Sequence, residues 1–158
     1  MTTWARLLAE APDVAAGVRA RFEAHQHKTM ATLRADGSPR ISGTEVEVRD
    51  DGVYLAGMPG SRRFDDLRRD PRVAIHSGSD EPRHWSGDAK VSGTAVEITD
   101  PQVHAAYRAS LDQVPPGPFE LFRVDVDEAT VVRLSDDREA LVVETWRPGR
   151  PVLRIRRS

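Results

Sequence analysis

Apolar positions along this chain change period near residue 27. Before it, Val14, Val18 and Phe22 recur at helical spacing, with His25 close to the same row, and predict a helix with Asp13 as N-cap after Pro12. Trp4, Leu7 and Leu8 predict a shorter turn ahead of it. Beyond residue 27 the alternation has period two. Thr29 to Arg34, Arg40 to Val48 and Val53 to Met58 read as an antiparallel meander, joined by Ala35-Asp36-Gly37-Ser38-Pro39 and Arg49-Asp50-Asp51-Gly52. Asp-Gly in the first connection is a strong hairpin signal, and the second turns on Asp51-Gly52. After Pro59-Gly60, Ser61 caps a predicted helix from Arg62 to Arg69 that carries Phe64 and Leu67; Asp70-Pro71 ends it.

The second half repeats this texture. Arg72 to Ser77 reads as a buried strand, Gly78 to Gly87 as a polar loop carrying His84 and Trp85, and Lys90 to Ile98 as an alternating strand. Asp100 caps a helix with Pro101 at its first position, running to about Leu111. Val114-Pro115-Pro116-Gly117-Pro118 reads as a rigid loop. Phe119 to Val126 and Thr130 to Leu134 are two further strands, and Leu141 to Trp146 with Val152 to Ile155 predict a terminal hairpin around Pro148-Gly149. About seven or eight strands at hairpin spacing favour a closed antiparallel barrel over a doubly wound sheet. The expected class is mainly β (α+β). Residues 1–158 are expected to form a single domain, with 1–26 a helical segment and 27–158 the barrel.

Composition narrows the function classes. With 158 residues the chain can bury roughly 70% of its unfolded surface without staples. It has no cysteine, which excludes disulfides, zinc-thiolate and iron–sulfur sites and a thiol nucleophile. No apolar run approaches membrane-spanning length, and the first residues lack a signal-peptide pattern, so a cytoplasmic location is expected. A net charge of −2 and nine aromatic residues, few of them beside strand arginines, disfavour an oligonucleotide-binding barrel. The five histidines, at 25, 27, 76, 84 and 104, show no metal-ligand spacing, so no metal is expected. All 23 basic residues are arginine except Lys28 and Lys90, a bias that coding composition explains as readily as anion recognition.

Arginine position is more informative than arginine number. Gly60-Ser61-Arg62-Arg63 opens a helix, where backbone N–H groups are unpaired and the dipole favours an anion. Gly60 permits close backbone approach, Ser61 offers a hydroxyl, and Arg62 and Arg63 offer fork-shaped donors. Together they make a candidate phosphate cradle. Facing water is the alternative for the two arginines. Ser42 and Thr44, on one face of the second strand, either line a groove or are solvated. His76 ends an apolar strand and faces either a groove or the core. Trp85 is either a lid over a flat ring or an ordinary loop tryptophan. No residue stands out as a general acid or base.

These segments resemble a known family. Val53-Tyr54-Leu55-Ala56, the loop and basic pair, and Asp66-Leu67-Arg68-Arg69-Asp70-Pro71-Arg72-Val73 resemble the pyridoxamine 5′-phosphate oxidase-like, split β-barrel flavoprotein superfamily. Thr29-Met30-Ala31-Thr32-Leu33 with Asp36-Gly37-Ser38-Pro39-Arg40 is similar to its opening hairpin, and Gly87 to Ala95 to a later strand. The resemblance covers about residues 25 to 135. It implies a split-barrel homodimer with FMN, or the deazaflavin coenzyme F420, in an interfacial groove, and hydride transfer to or from a small organic substrate. The candidate cofactor-binding residues are Gly60, Ser61, Arg62, Arg63, Ser42, Thr44, Met58 and His76. The family often has Lys where this chain has Arg63, and Asn where it has Asp66; Asp65 and Asp66 bring negative charge toward the cradle. A non-catalytic flavin, deazaflavin or haem carrier of the same fold is the alternative.

Overall fold

Period-two alternation becomes strand pairing over most of the chain. The computed structural model describes residues 2–114 and 116–158; Met1 and Pro115, the latter in the loop read as rigid, lie outside the described residues. The described residues form helices α1 (Thr3–Glu10), α2 (Pro12–Glu23), α3 (Arg62–Arg69) and α4 (Pro101–Ala109). The strands are β1 (His27–Leu33), β2 (Pro39–Val48), β3 (Val53–Gly57), β4 (Arg72–His76), β5 (Gly87–Ile98), β6 (Glu120–Leu134), β7 (Leu141–Trp146) and β8 (Leu153–Arg157). The sheet order is β3-β2-β1-β4-β5-β6-β7-β8, and β3 also pairs with β6, so the first six strands close into an antiparallel barrel. The β7–β8 hairpin extends it.

Two local expectations are corrected. The strands expected at Phe119 to Val126 and Thr130 to Leu134 are one continuous β6, because its first part pairs with β3 while its second pairs with β7. β5 pairs across the gap between the two expected strands, Ser92 with Glu128 and Gly93 with Val126, and Asp127 is accommodated as a bulge. Helix α2 starts at Pro12 rather than after Asp13. Ala11 is its N-cap without a side-chain bond, and Asp13 sits in the first turn, where its charge suits the helix dipole.

Helices α1 and α2 cover the barrel. Trp4 and Leu7 of α1 and Val14, Ala15, Val18 and Phe22 of α2 join Trp146 and the inward residues of the strands in one core. Thr3 Oγ1 accepts from the Val126 amide at 2.6 Å, and Glu10 accepts from Trp146 Nε1 at 3.0 Å, tying α1 to β6 and β7. A smaller cluster outside the barrel, Tyr54, Tyr107 and Leu121, seats α4 on β3 and β6. No helix among the described residues is long and apolar enough to cross a membrane.

The bulge is at Asp127 of β6, and Gly93 of β5 packs against the strand beside it. A Cβ there would stand 2.0 Å from the Asp125 carbonyl oxygen, so only a glycine lets β6 approach. Gly93→Ala is expected to cost about 1–3 kcal/mol, as other overpacked sites do. A thermal melt should show a fall in Tm of several degrees; an unchanged Tm would show that the two strands separate freely.

Candidate functional site

The site begins where β3 ends. Met58-Pro59-Gly60 reverses the chain, with Gly60 at φ +76°, a left-handed conformation that suits glycine. Ser61 follows as the N-cap of α3. Its carbonyl accepts from the Phe64 and Asp65 amides at 3.0 and 3.2 Å, but its side chain caps nothing. Ser61 Oγ is buried without a hydrogen-bond partner among the described residues.

Helix α3 is held from beneath. Asp66, 2% exposed, accepts from Thr32 Oγ1 at 2.8 Å, Arg40 Nε at 2.6 Å and Arg69 Nη2 at 2.9 Å. Burial raises the Asp66 pKa, but those donors outweigh it and hold the carboxyl at about 2. Arg68 pairs with Glu97 at 2.5 Å, Glu120 at 2.7 Å and Asp65 at 3.2 Å. The acidic residues expected to weaken an anion site are therefore engaged elsewhere: Asp66 with Arg40 and Arg69, and Asp65 with Arg68.

Arg63 is different. No carboxylate among the described residues lies within ion-pair distance of it. Its Nη1 donates to the Gly43 carbonyl at a long 3.4 Å, its guanidinium lies 5.0 Å over the Phe64 ring, and its Nε is buried without a partner among the described residues. Burial pushes its pKa below the ordinary arginine value, and arginine nevertheless remains charged. Gly57 makes room for it: a Cβ at that position would stand 2.6 Å from Arg63 Nη2.

A cavity of about 410 Å³ opens here. Its walls are β2 (Gly43, Thr44, Glu45, Glu47), the end of β3, the start of α3 and the α4 side (Tyr107, Leu111, Phe119). It offers a half-buried cation, an unsatisfied hydroxyl, an aromatic wall and two carboxylates. Glu45 accepts from Gln26 at 3.1 Å, and Glu47 from Arg49 at 2.8 Å. The unsatisfied donors at the α3 end suit a phosphate, and the aromatic wall suits a flat ring.

Of the residues singled out from sequence, Thr44, Met58, Ser61 and Arg63 meet on this cavity. Gly60 shapes the turn behind it. Arg62 is exposed and Ser42 half-buried, and neither is on the wall. His76 lies on a separate, shallower cavity of about 290 Å³ with Thr29, Ile41 and Lys90. It is exposed rather than in the core, its Nδ1 2.7 Å from the Ser77 carbonyl. Trp85 sits in the β4–β5 loop, off the first cavity's wall. Sequence reasoning missed Tyr107, Phe119, Glu45 and Glu47. The carboxylates show only as the polar half of β2's alternation, and the two aromatics look like ordinary packing residues.

A family model described as pyridoxamine 5′-phosphate oxidase matches residues 15–133. No curated protein sequence matches the chain. Among solved structures, it is similar to a pyridoxamine 5′-phosphate oxidase-related, FMN binding protein from Nostoc punctiforme PCC 73102. That match has TM-score 0.66 and 12% identity, and covers 94% of this chain and 96% of that one. A FAD-binding protein from Mesorhizobium loti matches with TM-score 0.59 and 22% identity, over 74% and 92% of the two chains. A heme binding protein from Mycobacterium smegmatis matches with TM-score 0.60 and 23% identity, over 77% of this chain and 54% of that one. At these identities the structural matches establish the split-barrel fold.

Proposed function

Because the chain belongs to the pyridoxamine 5′-phosphate oxidase family over residues 15–133, we propose that its cavity binds a phosphorylated flavin-type cofactor. That cofactor is FMN or the deazaflavin coenzyme F420, and the protein acts with it as an oxidoreductase on a small organic substrate. The observation that carries this is the pairing of Ser61 Oγ with Arg63 Nε, two buried polar atoms without partners at the same end of one cavity. A buried, unsatisfied donor costs about 1–3 kcal/mol, more when charged, so such groups are kept where a ligand completes them. The fold's likeness to FMN- and FAD-binding proteins supports the same ligand class.

In this reading Ser61, Arg63 and the free amides at the start of α3 hold the phosphate. Gly57 and Gly60 let backbone and guanidinium come close, and Tyr107 and Phe119 flank the ring. The cofactor, when bound, supplies the hydride chemistry; the chain positions it and shields it from water. Purified protein titrated with FMN, F420, FAD and haem is expected to bind a phosphorylated flavin-type ring saturably. Binding of none would end the reading.

A second reading, a carrier of the same fold, is supported by the likeness to a heme binding protein. The two differ in turnover. Without oxygen, a reduced cofactor mixed with a panel of conjugated substrates is reoxidised in a substrate-dependent way only by an enzyme.

The reading includes a homodimer. Ile41 is 73% exposed and Met58 80%, and a second copy would cover both side chains. Such an interface should exceed ~1,000 Å². Light scattering at micromolar concentration is expected to give twice the chain mass, and a sharp monomer would remove the dimer from the reading.

A further inference from the structure

A third group on the cavity wall lacks a partner, and it lies on α4, not α3. Tyr107 is 5% exposed and lines the cavity. Its ring is fixed from three directions. The Tyr54 ring lies 5.7 Å away, the Phe119 ring 5.8 Å, and the Arg49 guanidinium sits 4.2 Å over its face. Arg49 is itself held by Glu47 at 2.8 Å and Ser110 Oγ at 2.7 Å. The ring therefore has little freedom to turn.

Its hydroxyl nevertheless makes no hydrogen bond among the described residues. The other tyrosine behaves as buried tyrosines usually do: Tyr54 donates to Asp51 Oδ2 at 2.9 Å. The Tyr107 hydroxyl is not one of the fully buried, unpartnered atoms, as Ser61 Oγ and Arg63 Nε are. Tyr107 itself is part of the cavity wall.

We propose that Tyr107 is a specificity-determining residue of this cavity, donating a hydrogen bond to a carbonyl oxygen or ring nitrogen on the planar part of the bound ligand. The inference rests on the phosphorylated-cofactor reading and refines it. The α3 end recognises any phosphate, whereas Tyr107 requires a ring that presents an acceptor to the α4 wall. Burial first, then the carboxylates of Glu47 and Glu45, push its pKa up to about 12 against the opposing pull of Arg49. The phenol is thus protonated throughout the physiological range and acts as a donor, not as a base. Its fixed ring also means that little rotamer freedom is lost when the bond forms.

Tyr107→Phe removes one oxygen and keeps the aromatic packing. With FMN and F420 as probes, the variant is expected to bind about tenfold more weakly, the size of one net hydrogen bond. The visible band of the bound ring should also shift relative to the parent complex, which a purely structural role would not cause. Unchanged affinity together with an unchanged bound spectrum would overturn the proposal while leaving the cofactor reading intact. A parent that binds neither probe would overturn both.

A second measurement needs no variant to fold. The chain has two tyrosines, so protein grown with 3-fluorotyrosine gives two fluorine signals. Ligand addition should move the Tyr107 signal well beyond that of Tyr54, which Asp51 holds. Equal movement, or none, in a protein that binds the probe would overturn the assignment.

Discussion

Arg63→Met is expected to remove most of the affinity for FMN or F420 while leaving Tm unchanged or raised. The two halves of that expectation have one cause. Arg63 is half-buried and has no carboxylate partner among the described residues, so its charge is poorly solvated in the free protein. A phosphate would relieve this with charge-assisted hydrogen bonds, each worth ~1.5–3 kcal/mol, or roughly tenfold to a hundredfold in affinity. Met fills similar space beside Phe64 and Gly57 without a charge to desolvate, so the fold loses nothing. Arg63→Lys should recover part of the binding as a point charge without the planar fork. Arg157→Ala, on the distant exposed β8, should change neither quantity. Parent-like binding by Arg63→Met would remove the phosphate from this end of the cavity. A Tm drop of several degrees would instead make Arg63 a structural residue.

The largest stability effect is expected at Asp66. Its carboxylate, nearly fully buried, joins β1, β2 and α3 through Thr32, Arg40 and Arg69. Asp66→Asn keeps the shape but leaves two guanidinium groups without their counter-charge. Breaking such a pair from one side costs about 3 kcal/mol. For a chain of this size that is a Tm lower by about 6–12 °C. The same group sets an acid limit. Its pKa falls from an ordinary 3.8 to about 2 on folding, so the unfolded state binds the proton more readily. Its contribution is complete above about pH 4 and is lost as pH falls toward 2. Denaturant melts across that range should show the parent losing stability more steeply than Asp66→Asn. Equal slopes, or a Tm within a degree of the parent, would mean that α3 is held in place by Phe64 and Leu67 alone.

The sequence by itself determined the elements, because their causes are local. Period-two alternation, the Asp-Gly turn and the Asp100-Pro101 helix start act within a few residues, and most strands lie within a residue or two of where alternation places them. The family segments lie on or beside β1 to β5 and α3, and Ser61 and Arg63, proposed to hold the phosphate, share one helix N-terminus, which is a local feature. What failed was local reading of residues with distant partners. The gap between Val126 and Thr130 closes only because β5 pairs across it with a bulge at Asp127. Asp66 looked like a charge near the cradle until Arg40, twenty-six positions earlier, turned it away. His76 and Ser42 were grouped with Ser61 by strand pattern, which fixes the face a residue takes but not the cavity it meets. Only the tertiary structure decided that Arg63 stays unpaired while Arg68 and Arg69 do not, since pairing depends on which strands curl within reach. It also decided that Tyr107, on a helix that reads as ordinary packing, closes the cavity opposite a loop some fifty residues earlier. No periodicity records that, because barrel closure and the seating of α4 bring the two walls together through contacts that neither segment encodes alone.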